Sequence, residues 1–229
     1  MSREVILSRL RDFQNREASE VLPEVVPEFP DFDDPLDTFK RRAEKAGTVV
    51  LDGQSDERFA AAMRRVLEEA GSEHLYWEKT AIFEKHRIPF ELSSRSQDSG
   101  EPGVLVSEHA EQGFQLPVQT EIQSLDQVDV PGVAVSVASA ETGIAETGTL
   151  VVSSANSGSR GLSVLPPIHV ILLSPEDVLM NHREFFQSVD LGQYESARLL
   201  VTGPSRTADI EKTLIIGVHG PRKLFAILR

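Results

Sequence analysis

Cysteine is absent from the 229 residues. Disulfides, thiolate zinc sites and cysteine-ligated iron–sulfur clusters within this chain are therefore excluded. Positive charge is scarce as well: 23 Lys and Arg stand against 36 Asp and Glu, a formal net charge of −13. Contact with a phosphate backbone or an anionic lipid surface needs a basic surplus, so nucleic-acid and membrane-surface binding are disfavoured. No apolar run approaches the ~18 residues that a membrane helix requires. The opening stretch MSREVILSRLRDF interleaves charges with Val5, Ile6, Leu10 and Phe13 instead of forming a leader-like apolar segment. A cytoplasmic protein is expected, with no integral membrane segment.

What is present is enough apolar material, 40% of the residues, to bury a sizeable core. Ile6, Leu10 and Phe13 share one face of a short docking helix. Residues 17–39 then hold eight acidic groups and four prolines, with no Lys or Arg between Arg16 and Lys40. This composition predicts an extended arm, and the apolar Val21, Leu22, Val25, Val26, Phe29 and Phe32 predict that the arm lies on a surface. Residues 1–39 are read as this arm and residues 40–229 as one α/β body.

Within the body, GTVVLD reads as a strand and SDERFAAAMRRVLEEAG as a helix capped by Ser55 and stopped by Gly71. HLYW, VLVS, VAVSV, TLVVS, IHVILLS, ARLLVTG and LFAIL read as further strands. Several are continuous apolar runs, as expected in a sheet covered on both faces. SPEDVLMNHREFFQ, with Pro175 at the first helical position, reads as a helix between two of them. The fold class is α/β with a mostly parallel central sheet.

Ligands in open α/β sheets sit beyond the carboxyl ends of strands, which draws attention to the polar segments between them. "ETG" occurs twice, at 141–143 and 146–148, and the second copy places Glu146 and Thr147 at a glycine turn between apolar segments. Glu146 can serve as general base or nucleophile, or can bond backbone amides in a hairpin. As a carboxylate among β-branched neighbours it calls for a partner, for which Arg160 or Arg206 would suit. In GPSRTADIE, Gly203 and Pro204 shape the backbone and Ser205 or Thr207 can cap a following helical turn. Arg206 can hold a carboxylate or phosphate with its fork, or can pair with Asp209 or Glu211. His219, before Gly-Pro, can act as acid, base or metal ligand, or can be a hydrogen-bonded structural residue. His169 inside IHVILL reads as a core histidine. No spacing of His and carboxylates suggests a metal site. Residues 198–229 hold six Lys or Arg against two acidic residues, which favours an anionic ligand or a docking face near the last strands.

GIAETGTLVV (143–152), LPPIHVILL (165–173) and GPSRTADIEKTLIIGVHGP (203–221), in this order and spacing, resemble the lactate-utilization protein C family, also called the LUD domain or DUF162. The resemblance covers roughly residues 40–229. It implies a three-layer α/β sandwich similar to the ribose-5-phosphate isomerase, glucosamine-phosphate deaminase and CoA-transferase group. It also implies a part in oxidising L-lactate to pyruvate beside partner subunits that carry iron–sulfur clusters. The chain itself would then hold no cofactor and would be a component of a lactate-oxidising complex with a small-carboxylate pocket, not an autonomous oxidoreductase. That pocket would draw on Arg160, Gly203, Ser205, Arg206, Thr207 and Thr147, with Glu146 and His219 as the candidate catalytic residues. The alternative is a self-sufficient isomerase-like or CoA-transferase-like enzyme acting on a small carboxylate or sugar phosphate. Either form is compatible with a homo-oligomer.

Overall fold

Side-chain caps set where the two longer helices begin. In the computed structural model, which describes residues 33–71, 75–77, 85–86, 90–92, 104–107, 115–119, 133–154, 160–189, 197–207, 215–217 and 220–229, helix α1 spans Pro35–Ala46. The Asp34 carboxylate accepts from the Asp37 N–H at 2.9 Å, and Gly47 closes the helix in the left-handed region at φ 99°. Strand β1 (Val49–Asp52) follows, then helix α2 (Asp56–Ala70). Ser55 caps α2 by accepting from the Arg58 N–H at 3.3 Å, and Gly71 ends it at φ 60°, as its sequence predicts.

Eight strands build the main sheet. Besides β1 they are β2 (Leu75–Trp77), β3 (Phe90–Leu92), β4 (Val104–Ser107), β5 (Gln115–Gln119), β6 (Val135–Ser139), β9 (Ile168–Leu173) and β14 (Lys223–Leu228). Their order is β1-β14-β9-β6-β2-β5-β4-β3. The run from β1 to β5 is parallel, and β4 and β3 extend it antiparallel.

Each central strand is apolar on both faces because each face is covered. Phe59, Met63 and Val66 of α2 pack on Val135, Val137, Val170, Leu172, Phe225 and Ile227. On the other face Ala138, Ile171, Leu173, Leu224 and Ala226 meet Phe39 and Ala43 of α1 and Leu150 and Val152 of a second sheet. Alternate residues of one strand therefore serve opposite layers. Burying a side chain such as Phe59 contributes roughly 1.5–3 kcal/mol. The result is the expected three-layer α/β sandwich: α2, the large sheet, and a layer made jointly by α1 and the second sheet.

The second sheet corrects the plain reading of two strands. It has the order β10-β7-β8-β11, with β7 (Thr142–Ile144), β8 (Thr149–Ser153), β10 (Val178–Leu179) and β11 (Arg198–Val201). TLVVS and RLLV thus lie outside the central sheet: Leu150, Val152 and Val201 pack on its face, Val151 joins the outer cluster with Ile144 and Phe185, and Leu200 is exposed. The helix read from Pro175 is also shorter. Pro175–Asp177 is a single 3-10 turn, β10 pairs with β7, and helix α3 (His182–Ser188) begins only after Asn181, whose side chain accepts from the Glu184 N–H at 3.0 Å. Asn favours that cap over a helix interior, so the helix starts there. A boundary at residue 40 falls inside α1, and Phe39 has no exposed surface, so the folded body takes in Pro35–Phe39. The reading of residues 6–13 as a helix and the rest of the arm lie outside the described residues. Among the described residues no helix is long and apolar enough to cross a membrane.

Candidate functional site

Two of the three motif segments, 143–152 and the one opening at Gly203, meet the last turns of α1, while 165–173 carries the central strand β9. Gly148, at φ 69°, lies so close beneath that helix that a Cβ there would sit 2.2 Å from the Ala43 nitrogen. Gly203, at φ 79°, is packed likewise, with a Cβ position 2.3 Å from the Ala46 carbonyl oxygen. Arg206 donates to that same carbonyl at 2.6 Å. A cation at a helix C-terminus satisfies an orphan carbonyl and complements the dipole, which gives this exposed guanidinium a structural partner.

The helical turn expected after Gly203 is a strand instead. Arg206–Thr207 forms β12, paired antiparallel with β13 (Ile215–Ile216), and the Ser205 N–H donates to the Pro221 carbonyl at 3.0 Å. Backbone ladder bonds take the place of a helical turn capped by Ser205, and a turn capped by Thr207 would fall outside the described residues. The hairpin stands at the amino ends of β1 and β14, away from the carboxyl ends where ligands of open sheets bind. Arg160 opens the short 3-10 turn Arg160–Ser163, and His219 lies outside the described residues.

Among the described side chains Glu146 takes His182 as its partner, Arg206 is bonded to α1, and the Arg160 side chain lies outside those described. Its Oε2 accepts from the His182 backbone N–H at 3.4 Å and lies 2.9 Å from His182 Nδ1. The hydrogen bond from His182 holds the Glu146 carboxyl below its ordinary pKa. Thr147 Oγ1 is 2.6 Å from Thr149 Oγ1, which is 2.6 Å from Thr202 Oγ1. Glu141, in the first ETG, receives two bonds from Arg198, at 2.7 and 3.1 Å. Both acidic motif residues are thus engaged within the small sheet and its neighbours.

A different group of residues surrounds an open cavity of about 440 Å3 at the carboxyl ends of the parallel strands. Gln54 and Asp56 follow β1, Lys85 and His86 follow β2, Ser174, Pro175 and Glu176 follow β9, and Arg229 follows β14. The Arg229 guanidinium knits these ends together, donating to the His86 carbonyl at 2.9 Å, the Gly53 carbonyl at 3.1 Å and Asp56 Oδ1 at 2.5 Å. It also stands 5.4 Å above the Phe59 ring. Lys85 Nζ donates to the Ala140 carbonyl at 2.9 Å and lies 3.0 Å from Asp177 Oδ2.

His86 is buried beside this cavity, its Nε2 2.7 Å from Ser139 Oγ. Desolvation first, and the Lys85 charge second, pull its pKa down to about 4, so the ring is neutral at pH 7. His169 is the core histidine its sequence context predicts. Its Nδ1 is 2.8 Å from Ser136 Oγ, its Nε2 has no partner among the described residues, and burial lowers its pKa to about 4. Sequence reasoning passed over the cavity residues because Lys85, His86 and Arg229 stand in no motif. The signal that could have found them is position: each follows the end of a parallel strand.

A model of the LUD domain matches residues 36–228. An uncharacterized protein from Neisseria meningitidis serogroup B is 40% identical over 90 residues, 37% of this chain and 37% of that protein. Lactate utilization protein C from Shouchella clausii is 31% identical over 106 residues, 44% of this chain and 45% of the relative. The protein of that name from Deinococcus radiodurans is 36% identical over 87 residues, 37% of this chain and 41% of the relative. The matched stretches thus span less than half of these relatives' own lengths. The crystal structure of a DUF162 family protein from Deinococcus radiodurans has the same fold, with a TM-score of 0.52 at 18% identity over 85% of this chain and 95% of that one. With the domain match running from the first turn of α1 to the end of β14, the chain belongs to the LUD domain family.

Proposed function

We propose that this chain serves lactate utilization as a cluster-free component of a system that oxidises L-lactate to pyruvate. The observation that carries this reading is the name shared by relatives that match it, lactate utilization protein C. Oxidising the lactate hydroxyl carbon releases an electron pair that must leave on a redox group. A chain without cysteine cannot ligate an iron–sulfur cluster through thiolates, so partner subunits bearing such clusters are the proposed acceptors. The small carboxylate is proposed to bind at the carboxyl ends of β1, β14 and β9 in preference to Arg206, whose guanidinium already serves the end of α1.

Growth tests this directly. A strain lacking the gene is expected to grow on glucose and to fail on L-lactate as sole carbon source, and the native-level tagged protein is expected to bring down iron-containing partners. Normal growth of the deletion strain on L-lactate overturns the reading. Turnover of a carboxylate or a sugar phosphate by the isolated chain supports the autonomous-enzyme alternative instead.

A further inference from the structure

We infer that the cavity at the strand ends is a site for small hydroxy-monocarboxylates that turns phosphorylated metabolites away, with Lys85 meeting the carboxylate and His86 the hydroxyl. The inference rests on the reading of this cavity as a carboxylate site.

Charge is the first argument. The lining holds Asp56 and Glu176 together with Lys85 and Arg229, and Asp177 reaches Lys85 from just behind the wall. Taken with a neutral His86, the three carboxylate and two cationic side chains here among the described residues leave a formal charge of −1. Arg229 is already paired with Asp56, and Lys85 with Asp177. A phosphate ester carrying close to two negative charges would meet a field of its own sign about twice as strongly as a single carboxylate does. A single carboxylate asks for less. An ammonium has three N–H donors, and Lys85 directs two of them at Ala140 and Asp177, which leaves one for a ligand. Hydrogen bonding, and not net attraction, is then what holds the ligand.

The histidine is the second argument. His86 Nε2 lies 2.7 Å from Ser139 Oγ, which holds the ring from behind. The other ring nitrogen, Nδ1, lies 3.5 Å from the Arg229 carbonyl oxygen, at the far limit of a hydrogen bond. A hydroxyl both donates and accepts, so a ligand O–H can bond to Nδ1 in either tautomer of the neutral ring. A carboxylate without that hydroxyl lacks this bond and binds less well.

Calorimetry and NMR of the His86 ring in the full chain, titrated with sodium L-lactate, sodium propionate and inorganic phosphate, test the inference. L-Lactate is expected to shift the His86 resonances saturably, propionate to bind about tenfold more weakly, and phosphate to leave them unmoved. Lys85→Met is expected to weaken L-lactate about tenfold or more, and His86→Asn to bring L-lactate down to the level of propionate. If His86→Asn does not fold, the comparison of ligands on the unaltered chain still decides. Phosphate binding as tightly as L-lactate, equal binding of L-lactate and propionate, or L-lactate binding with no change at His86 overturns the inference. A deletion strain that fails on lactate but is fully restored by Lys85→Met removes this site while leaving the role in lactate utilization standing. A deletion strain that grows normally removes that role and leaves the binding result to judge the site.

Discussion

His86 and His169 are held neutral by burial, and that makes acid a stress on this fold. Both pKa values are pulled down from 6.5 to about 4 in the folded chain. Between those limits the unfolded chain takes up protons that the folded chain refuses, so stability rises with pH across the window and is lost as pH falls from about 6.5 toward 4. Each histidine contributes up to roughly 3 kcal/mol to that loss. The Glu146 carboxyl is lowered by His182, so its contribution is lost further down, as pH falls through its folded value. Thermal melts followed by circular dichroism at stepped pH are expected to show Tm dropping steeply over the histidine window. The double variant Ser136→Ala with His169→Leu removes one of the two proton-linked groups and is expected to flatten the slope. An unchanged slope would show that His169 is not the neutral core residue described above. For Glu146 the expectation separates chemistry from structure. Its pair with His182 is partly exposed, so Glu146→Gln should cost no more than about 1 kcal/mol. Loss of lactate-dependent growth in a variant that melts normally would assign Glu146 to the reaction; retained growth would assign it to holding α3 against the β7–β8 turn.

At the scale of elements, Gly148 and Gly203 of the motifs are required by their close approach to α1. Gly71 and Gly148 both have positive φ, 60° and 69°, yet a Cβ on Gly71 meets nothing within 4 Å whereas one on Gly148 would strike the Ala43 backbone. Gly71→Ala should therefore cost about 1–2 kcal/mol, the strain of the left-handed conformation alone. Gly148→Ala adds a backbone collision and should cost several kcal/mol more or prevent folding. Chemical denaturation of the two variants side by side measures the difference, and equal costs would mean that α1 yields easily. Arg206→Lys, which keeps the charge at the end of α1 but loses the guanidinium fork, should cost under about 1 kcal/mol. Much of this frame was legible beforehand. The caps at Ser55 and Gly71 and the doubly apolar runs of β9 and β14 are local signals, and the structure follows them. The assignment of TLVVS and RLLV to a second sheet was not legible, because a strand carries its burial in its pattern but not the identity of its neighbour. The cavity escaped for the same reason: Lys85, His86 and Arg229 are separated along the chain and meet only through the order of the strands.

For the whole molecule, the question is where the cooperative body begins. Composition draws the line at residue 40, where the acidic, proline-rich stretch gives way to basic residues. Packing draws it earlier. Asp34 caps α1, Pro35 starts it, and Phe39 is wholly buried against the face of the large sheet that also carries Ile171, Leu173 and Leu224. Helix α1 forms part of the third layer, and its last turns are what Gly148, Gly203 and Arg206 pack against. A chain starting at residue 40 loses the cap, worth about 1 kcal/mol, and the Phe39 side chain, worth about 3–5 kcal/mol, along with the first turn that organises the rest of the helix. Those losses approach the whole stability of an ordinary domain. Chains starting at 33 and at 40 should therefore differ sharply, the longer one giving a single cooperative melt and the shorter one melting far lower or aggregating. Because both lack residues 1–32, the difference between them reports on α1 alone. Equal Tm values for the two would show that α1 is an appendage, and the contacts of Gly148 and Gly203 with it would then be incidental to the fold.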